Sequence, residues 1–399
     1  MLRFAFLCFL SATLSACQDS AVQDVPLTTQ AGLQEVTSFG SNPGNLRMFR
    51  YVPAGLPADA PLVVALHGCV QSALAYANGA GWPKYAERDG FALVFPEQRS
   101  ANNQNSCFNW FESGDIRRGS GEALSIKQMV DKAKADLKID PQRVFVTGLS
   151  AGGYMTAVML ATYPDVFAGG GVIAGGPYGC ATSLVQAFSC LNPGVDKTPK
   201  AWGDLVRAAS SYTGPRPVVS IWHGDADYTV SSNNLRESVE AWTNVHGTDQ
   251  SAEVTDTVKG VPHRVYKKDG KAVVETYLVP GMGHGTPVDP GTADDACGQA
   301  GAYILDVNIC SSYHLGRFWG IVTAAGRGDG GGDDGGGEVA SCWTATNADH
   351  YAAGRALRNG VVPWENYSAK GSYAWLGYAN MNTTLAETRA GYFVKVTAC

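Results

Sequence analysis

Short apolar runs that alternate with amphipathic segments constrain the fold of this 399-residue chain most strongly. PLVVALHG (61–68), GFALVFPE (90–97) and RVFVTG (143–148) have the length and composition of buried strands. Segments 121–139 and 153–164 instead carry apolar residues at helical spacing. Buried strands that alternate with helices predict an α/β fold, with a mainly parallel sheet covered on both faces.

The same patterns extend along the rest of the large domain. An edge strand is predicted at 46–53, further strands at 169–177, 216–224 and 272–281, and further helices at 233–247 and 313–326. In sheets of this kind ligands bind outside the carboxyl ends of the strands. The residues that follow each strand are therefore the candidates for function.

Composition and charge narrow the class of protein. A chain with 45% hydrophobic and 17% charged residues is typical of a folded protein, and its length allows one large domain and a small one. The net charge of −6 comes with no basic patch, so nucleic acid is not an expected partner. We expect a monomer.

The first residues have the pattern of an export signal. Arg3 precedes an apolar run, 4–14, that is too short to cross a bilayer as a helix. Small residues before Cys17 resemble the lipobox of bacterial lipoproteins, so 1–16 is predicted to be a lipoprotein signal peptide and Cys17 the lipidated residue. The alternative is an ordinary signal peptide with an incidental cysteine. Both predict an exported protein, either a lipoprotein of the bacterial outer membrane or cell surface or a secreted one.

Changes in composition divide the rest of the chain, after the predicted signal peptide, into four parts. The predicted parts are an N-terminal tether (17–40), a large α/β domain (41–326), a Gly/Asp-rich linker (327–338) and an aromatic-rich C-terminal module (339–399). The aspartates of the linker do not fit the spacing of a helix–loop–helix calcium site. A module of about sixty residues buries little core and needs a staple.

Cysteine usage agrees with export. Without Cys8 and Cys17 the chain has eight cysteines, an even number that suits an oxidising compartment. Their positions favour the pairs Cys69–Cys107, Cys180–Cys190, Cys297–Cys310 and, closing the C-terminal module, Cys342–Cys399. The alternative is that some are free thiols or metal ligands, but no C-x-x-C occurs, which argues against zinc. No metal or organic cofactor is expected.

One serine has the surroundings of a nucleophile. Ser150 lies in GLSAGGYM (148–155), between a predicted strand and a predicted helix. In that context G-x-S-x-G predicts a sharp turn that exposes the hydroxyl, with the N–H of Ala151 facing an oxyanion. The alternative is a loop serine near the start of a helix. A second oxyanion donor is expected from the early loop ALHGCVQ, at the N–H of Cys69, which a Cys69–Cys107 bridge would hold still.

A base and an acid follow in the order that this turn requires. His284 lies in a glycine-rich loop just past a strand, and it is the predicted base. IWHGDADYTV offers Asp225 and Asp227 as the acid, and spacing alone does not separate them. The other histidines are interpreted as structural or remote: His67, His223, His246, His263, His314 and His350.

Aromatic residues that follow Cys107 are candidates for substrate contact. Phe108, Trp110 and Phe111 would come beside the site through the predicted bridge, although core packing explains any one of them at least as well.

Several motifs in one order resemble a known family. PLVVALHGCVQSA, VFVTGLSAGGYMTAVMLATYPDVFAGG and PGMGHGTPVDPG together resemble extracellular short-chain-length polyhydroxyalkanoate depolymerases, in the type whose oxyanion loop precedes the lipase box. The resemblance covers roughly 40–325. It implies an α/β-hydrolase fold, Ser150 as nucleophile, His284 as base, Cys69 and Ala151 as oxyanion donors and, by the pattern H-G-x-x-D-x-x-V, Asp227 as the acid.

The resemblance implies a serine esterase that hydrolyses poly(3-hydroxybutyrate) or a similar polyester, and it leaves two alternatives. The same catalytic domain is similar to feruloyl and acetylxylan esterases, whose substrate is an ester-substituted polymer. Tyr154, where alanine is common in depolymerases, is a candidate substrate contact and favours this alternative, as does the C-terminal module. The other alternative is a surface-binding lipoprotein without catalysis.

Overall fold

The computed structural model describes residues 32–323, 341–353, 355–359, 366–369, 375–377, 381–389 and 392–396. The predicted signal peptide, Cys17 and the linker 327–338 lie outside these residues. So does Cys399, and with it the predicted Cys342–Cys399 disulfide.

Within the described residues, ten strands form one sheet. Numbered in chain order they are β1 (Leu33–Val36), β2 (Arg47–Tyr51), β3 (Leu62–Leu66), β4 (Ala92–Glu97), β5 (Val144–Leu149), β6 (Gly169–Ile173), β7 (Val218–Gly224), β8 (Val254–Val258), β9 (Val261–Lys268) and β10 (Lys271–Val279). Their order across the sheet is β1-β2-β4-β3-β5-β6-β7-β10-β9-β8. The six strands from β4 to β10 pair in parallel, and the two strands at each end pair antiparallel.

Helices cover both faces of this sheet. The helices are α1 (Ala73–Ala80), α2 (Trp82–Asp89), α3 (Gly121–Leu137), α4 (Ala151–Thr162), α5 (Leu184–Leu191), α6 (Pro199–Ala208), α7 (Asn233–His246) and α8 (Ser311–Phe318). Buried residues of α3, α4, α6 and α7 pack on one face, and those of α1, α2 and α8 on the other. Neighbouring residues of β3 alternate between these two cores, as the pleat of a strand requires.

The remaining elements are smaller. Strands β11 (Thr286–Val288) and β12 (Ile304–Asp306) pair in parallel after the main sheet. The C-terminal region contains β13 (Ser341–Thr346), α9 (Asn347–Ala352), β14 (Ala356–Asn359), β15 (Asn366–Ala369), β16 (Trp375–Gly377), β17 (Asn382–Arg389) and β18 (Tyr392–Val396). They form two three-stranded sheets, β13-β17-β18 and β14-β15-β16.

The predicted fold class is confirmed, and the mainly parallel sheet with helices on both faces is an α/β-hydrolase architecture. The prediction of an edge strand at 46–53 is wrong, because β2 pairs with β4 on one side and β1 on the other. Strand β1 lies within segment 17–40, which the sequence assigns to a tether. The folded part of the chain therefore extends into that segment.

Helix α8 is shorter than the sequence predicts. The apolar pattern extends to 326, but the helix ends at Phe318. Gly320 has a φ of 68°, in the left-handed region, and the N–H groups of Ile321 and Val322 both donate to the carbonyl of Gly316. This C-terminal cap turns the chain back onto the helix, so the apolar residues beyond it pack without continuing it.

Three predicted disulfides are present: Cys69–Cys107, Cys180–Cys190 and Cys297–Cys310. Each joins cysteines within the large domain, and the first two border the site described below. Among the helices of the described residues, none combines the length and apolar character needed to cross a membrane.

The buried imidazole of His314 makes stability depend on pH. Its Nε2 has no hydrogen-bond partner within the described chain, and burial lowers its pKa to about 4, with Lys259 adding to the effect. The unfolded chain binds this proton more readily than the folded chain does. The free energy of unfolding therefore falls by about 3 kcal/mol as the pH drops from 6.5 to 4. Since aromatic rings surround His314, H314F should fit the site.

We therefore expect H314F to reduce the loss of unfolding free energy between pH 7 and pH 4 by about 3 kcal/mol. Urea unfolding of both proteins at each pH measures this difference. An unchanged loss in H314F would contradict the assignment.

Candidate active site

Ser150 lies on a sharp turn between β5 and α4. Its backbone has φ 58° and ψ −118°, a conformation that costs energy for a residue with a side chain. A Cβ on Gly148 would come within 2.5 Å of the carbonyl oxygen of Gly152, and a Cβ on Gly152 would collide with the carbonyl oxygen of Leu66. Both glycines of G-x-S-x-G are thus required by backbone packing.

Asp227 and His284 form a close pair at the carboxyl edge of the sheet. The loops after β7 and β10 carry them, and these strands are parallel neighbours. His284 Nδ1 lies 2.7 Å from Asp227 Oδ2. Asp227 Oδ1 accepts the N–H groups of Thr229 and Val230, both at 2.9 Å, so the carboxylate is held from both sides.

Asp227 is ionised in this arrangement. Burial alone would raise its pKa, but the adjacent imidazoles of His223 and His284 outweigh burial and hold the pKa of Asp227 well below its usual range. The carboxylate accepts, so His284 Nδ1 carries the proton and Nε2 is left free to accept one.

The neighbouring residues His223 and Asp225 have supporting roles. His223 Nε2 donates to the carbonyl of Val230 at 2.8 Å and lies 3.5 Å from Asp227 Oδ2. Asp225 Oδ1 accepts the N–H of Gly281 at 2.6 Å and so ties the loop of Asp227 to the loop that leads to His284. The structure thus separates the two aspartates, since Asp227 contacts the imidazole and Asp225 a backbone amide.

A cavity of about 340 Å³ opens beside Ser150. Its walls contain Gly68, Cys69, Val70, Asn103, Asn105, Cys107, Trp110, Phe111, Leu149, Ser150, Ala151, Leu184, Ala187, Phe188, Leu191, Thr229, His284 and Tyr303. The predicted nucleophile, base and both oxyanion donors therefore share one cavity.

The loop that carries Cys69 is braced from several directions. The Cys69–Cys107 disulfide fixes it to the segment before Trp110, and the N–H of Val70 donates to the carbonyl of Asn105 at 2.7 Å. His67 donates from Nδ1 to the carbonyl of Gly68 and accepts the N–H of Gln98 at Nε2. Burial lowers the pKa of His67, which keeps it neutral in this structural role.

A comparison with known proteins identifies the family. The model of the esterase PHB depolymerase family matches residues 46–257. The chain belongs to this family. It is 63% identical over 292 residues to poly(3-hydroxyalkanoate) depolymerase C of Paucimonas lemoignei, covering 73% of this chain and 70% of that protein. The esterase is thus a carboxylic ester hydrolase, as the sequence motifs predict.

Other relatives act on different esters. Acetylxylan esterase of Coprinopsis cinerea is 37% identical over 263 residues, 64% of this chain and 69% of that protein. Feruloyl esterase B of Neurospora crassa is 37% identical over 271 residues, 65% of this chain and 90% of that protein. A solved structure, the acetyl xylan esterase from Aspergillus awamori, aligns with a TM-score of 0.59 at 31% identity over 63% of this chain and 94% of that one.

The aromatic wall of the esterase differs in part from the prediction. Trp110 and Phe111 line the cavity. Tyr154 lies behind Trp110, with ring centroids 3.8 Å apart, and its hydroxyl donates to the carbonyl of Cys190 at 3.2 Å. Phe108 is fully buried against the His67 ring at 4.9 Å. Neither Tyr154 nor Phe108 is among the described residues that line the cavity, because close packing turns both into the core.

Sequence reasoning missed the helix that forms the opposite wall. Leu184, Ala187, Phe188 and Leu191 of α5 all line the cavity. Their spacing of three and four residues is helical, but the segment has only eight residues, too short for periodicity to stand out. Ser183 caps the helix, and the Cys180–Cys190 disulfide spans it.

Sequence reasoning also missed a buried carboxyl that joins two walls. Glu122 Oε1 accepts from Gln98 Nε2 at 2.5 Å, and Glu122 Oε2 accepts the N–H of Asn109 at 2.8 Å. Gln98 supports the loop of Cys69 through His67, and Asn109 adjoins Trp110. Burial, with Asp115 nearby, raises the pKa of Glu122 to about 8.

The remaining histidines lie away from the cavity. His246 contacts the carbonyl of Pro217, His263 pairs with Asp256 and Glu275, and His350 contacts the carbonyl of Thr383. His314 packs against the rings of Trp222, Tyr277 and Tyr313, and none of these four imidazoles lines the cavity with His284.

The stack of Tyr154 on Trp110 predicts that the ring, rather than the hydroxyl, supports the cavity wall. Y154A should lower kcat/KM for p-nitrophenyl butyrate by about tenfold or more, because Trp110 loses its backing, and should cost about 3–5 kcal/mol of stability. Y154F keeps the ring and serves as the matched control. It should lose about 1 kcal/mol, since Asn234 still donates to the carbonyl of Cys190. Equal kinetics in the two variants would contradict this role.

Proposed function

We propose that this esterase is an exported depolymerase of poly(3-hydroxybutyrate) or related short-chain polyhydroxyalkanoates. Ser150 would act as nucleophile, His284 as base and Asp227 as the residue that orients the base. The observation that carries the proposal is the cavity that Ser150 and His284 share, with His284 bonded to Asp227 at 2.7 Å.

The reaction begins with proton transfer from Ser150 Oγ to His284 Nε2 while Oγ bonds to the ester carbonyl carbon. The carbonyl oxygen becomes an oxyanion, which the N–H groups of Cys69 and Ala151 stabilise. The negative charge of the ionised Asp227 stabilises the imidazolium of His284 beside it. It then gives its proton to the leaving alcohol, and an acyl-enzyme remains.

Water completes the cycle. His284 takes a proton from the water as its oxygen attacks the acyl carbon, and the second tetrahedral intermediate forms in the same oxyanion site. Collapse of this intermediate returns the proton to Ser150 and releases the hydroxy acid. Every proton moves between the substrate, water, Ser150 and His284, and the proposed reaction uses no cofactor.

Similarity supports a polyester substrate over a sugar ester. Identity to the named poly(3-hydroxyalkanoate) depolymerase is 63%, against 37% to the named acetylxylan and feruloyl esterases. The cavity walls also present Trp110, Phe111, Leu184 and Phe188, which suit an apolar acyl chain.

Several further features of the sequence belong to the proposal. Residues 1–16 would direct export, and Cys17 would carry a lipid anchor that holds a monomer at the membrane surface. Residues 41–326 would form the catalytic domain, and 339–399, closed by Cys342–Cys399, a separate module that contacts the polymer.

Replacement of the proposed nucleophile tests the mechanism. S150A should lower esterase turnover by at least about 10⁴-fold, because no other hydroxyl replaces the nucleophile. D227N should lower kcat by about 10⁴-fold, because the amide favours the wrong tautomer of His284. Hydrolysis of p-nitrophenyl butyrate measures both, and a fluorophosphonate probe should label the parent protein at Ser150. Near-parent turnover in S150A would refute the mechanism.

A substrate panel tests the proposed specificity. The purified protein should clear a suspension of poly(3-hydroxybutyrate) and hydrolyse 3-hydroxybutyrate oligomers faster than methyl ferulate or acetylated xylan. S150A is the control for substrate that is lost without enzymatic hydrolysis. Activity on the ferulate or xylan ester alone would instead favour the function of the 37% identical relatives.

A further inference from the structure

Exposed large apolar side chains gather at the mouth of the active-site cavity. Val70, Leu184, Val185, Phe188 and Tyr303 are 64%, 53%, 79%, 65% and 44% exposed. We call these five residues the apolar rim. Four of them also line the cavity, and Val185 lies on α5 three residues before Phe188, so both project from one side of the helix. An apolar surface that continues from a cavity outward marks an interaction site.

Two rim residues have a backbone conformation that costs energy. Val70 has a φ of 58° and Tyr303 a φ of 59°, both in the left-handed region that glycine or asparagine adopts more easily. A β-branched residue such as valine is especially unfavourable there. The Cys69–Cys107 disulfide beside Val70 holds this conformation in place. Backbone strain that is retained at the opening of the active-site cavity suggests that these side chains have a function there.

The segments that carry the rim contain no charged residue. Segments 67–83, 101–111, 176–195 and 296–305 supply all five rim residues and most of the cavity wall, and they contain no Asp, Glu, Lys or Arg. Across the whole chain 17% of residues are charged. A partner bound here gains apolar contact without desolvating an ionised side chain.

The wall that carries most of the rim is held firmly. Ser183 accepts the N–H of Gln186 at the start of α5, and the Cys180–Cys190 disulfide spans the helix. The carbonyl of Cys190 accepts from Tyr154 and from Asn234. The exposed side chains of α5 are therefore presented on a fixed support, which reduces the entropy lost on binding.

We propose that the apolar rim is the surface by which the catalytic region adsorbs to solid polyester, an inference that rests on the proposed function. A polyester surface is uncharged, with apolar carbon groups and ester oxygens that only accept hydrogen bonds. A sugar polymer would call for hydrogen-bonding side chains beside the aromatic residues of the rim, and an anionic membrane for lysine or arginine. Because Leu184 and Phe188 belong to both rim and cavity, a chain at the adsorbed surface meets Ser150 without leaving apolar contact.

Adsorption of the full chain carrying S150A, together with C17A to prevent lipidation, tests the surface without hydrolysis and without a lipid anchor. Binding to poly(3-hydroxybutyrate) granules is measured by depletion from solution. V185Q and F188Q should each weaken binding about tenfold, because each removes exposed apolar area while glutamine preserves the helix. L124Q makes a similar change at a partly exposed residue of α3, outside the rim and outside residues 339–399, and it should bind like the S150A, C17A parent.

Four outcomes would overturn the inference. These are unchanged adsorption in V185Q and F188Q, equal weakening in L124Q, binding to phosphatidylcholine vesicles as tight as to granules, and binding to insoluble acetylated xylan as tight as to granules. With Ser150 intact, V185Q should hydrolyse p-nitrophenyl butyrate at the parent rate, since Val185 does not line the cavity. A lower rate would indicate a misfolded helix and also count against the surface.

The proposed function fails separately. If the protein with Ser150 intact does not cleave soluble 3-hydroxybutyrate oligomers, the proposed polyester function is refuted, whether or not the protein adsorbs to granules. If it cleaves oligomers while the rim variants adsorb normally, only the surface is refuted.

Discussion

Close backbone packing at the turn of Ser150 is the contact on which the rest of the site depends. Gly152 lies so near the carbonyls of Leu66 and His67 that no side chain fits between them. The turn that exposes Ser150 is thereby pressed against the end of β3, the strand that leads into Cys69. This one contact therefore sets the distance between the proposed nucleophile and the loop that carries its proposed oxyanion donor. A residue larger than glycine at 152 would push the turn and the loop apart.

The other half of the site depends on parallel pairing. Strands β7 and β10 end side by side, so the loops after them meet although 57 residues separate Asp227 from His284. The bond from Gly281 N–H to Asp225 fastens these loops to each other, and the two amides on Asp227 fasten the acid to its own turn. The imidazole is thus oriented by backbone contacts as well as by the carboxylate. Preorganisation of this kind spares the site a rearrangement during reaction.

The sequence predicted the features that depend mainly on residues close together in the chain or on the order of motifs. The strands, the turn at Ser150, the order of Asp227 and His284 and three cysteine pairs each leave a signature within a short window or a simple order. Side-chain direction has no such signature. Trp110 and Phe108 are two residues apart, yet Trp110 faces the cavity and Phe108 the core.

Tertiary contacts determine the elements that the sequence did not predict. The short helix α5 is positioned by a disulfide and by hydrogen bonds to its last turn, and β1 exists only because β2 offers it an edge. Glu122 resembles an ordinary helix residue until the fold buries it between two loops.

The contacts of Glu122 limit how this cavity can be redesigned. Gln98, Asn109 and Glu122 lie in one stretch of the chain, and the carboxyl of Glu122 links the support of the Cys69 loop to the backbone that leads into Trp110. A library that varies Gln98 or Glu122 alone would remove the side-chain hydrogen bond between them and leave a buried polar group without that partner. Asn109 contacts the carboxyl through its backbone N–H, so the side chains that must be exchanged together are those of Gln98 and Glu122.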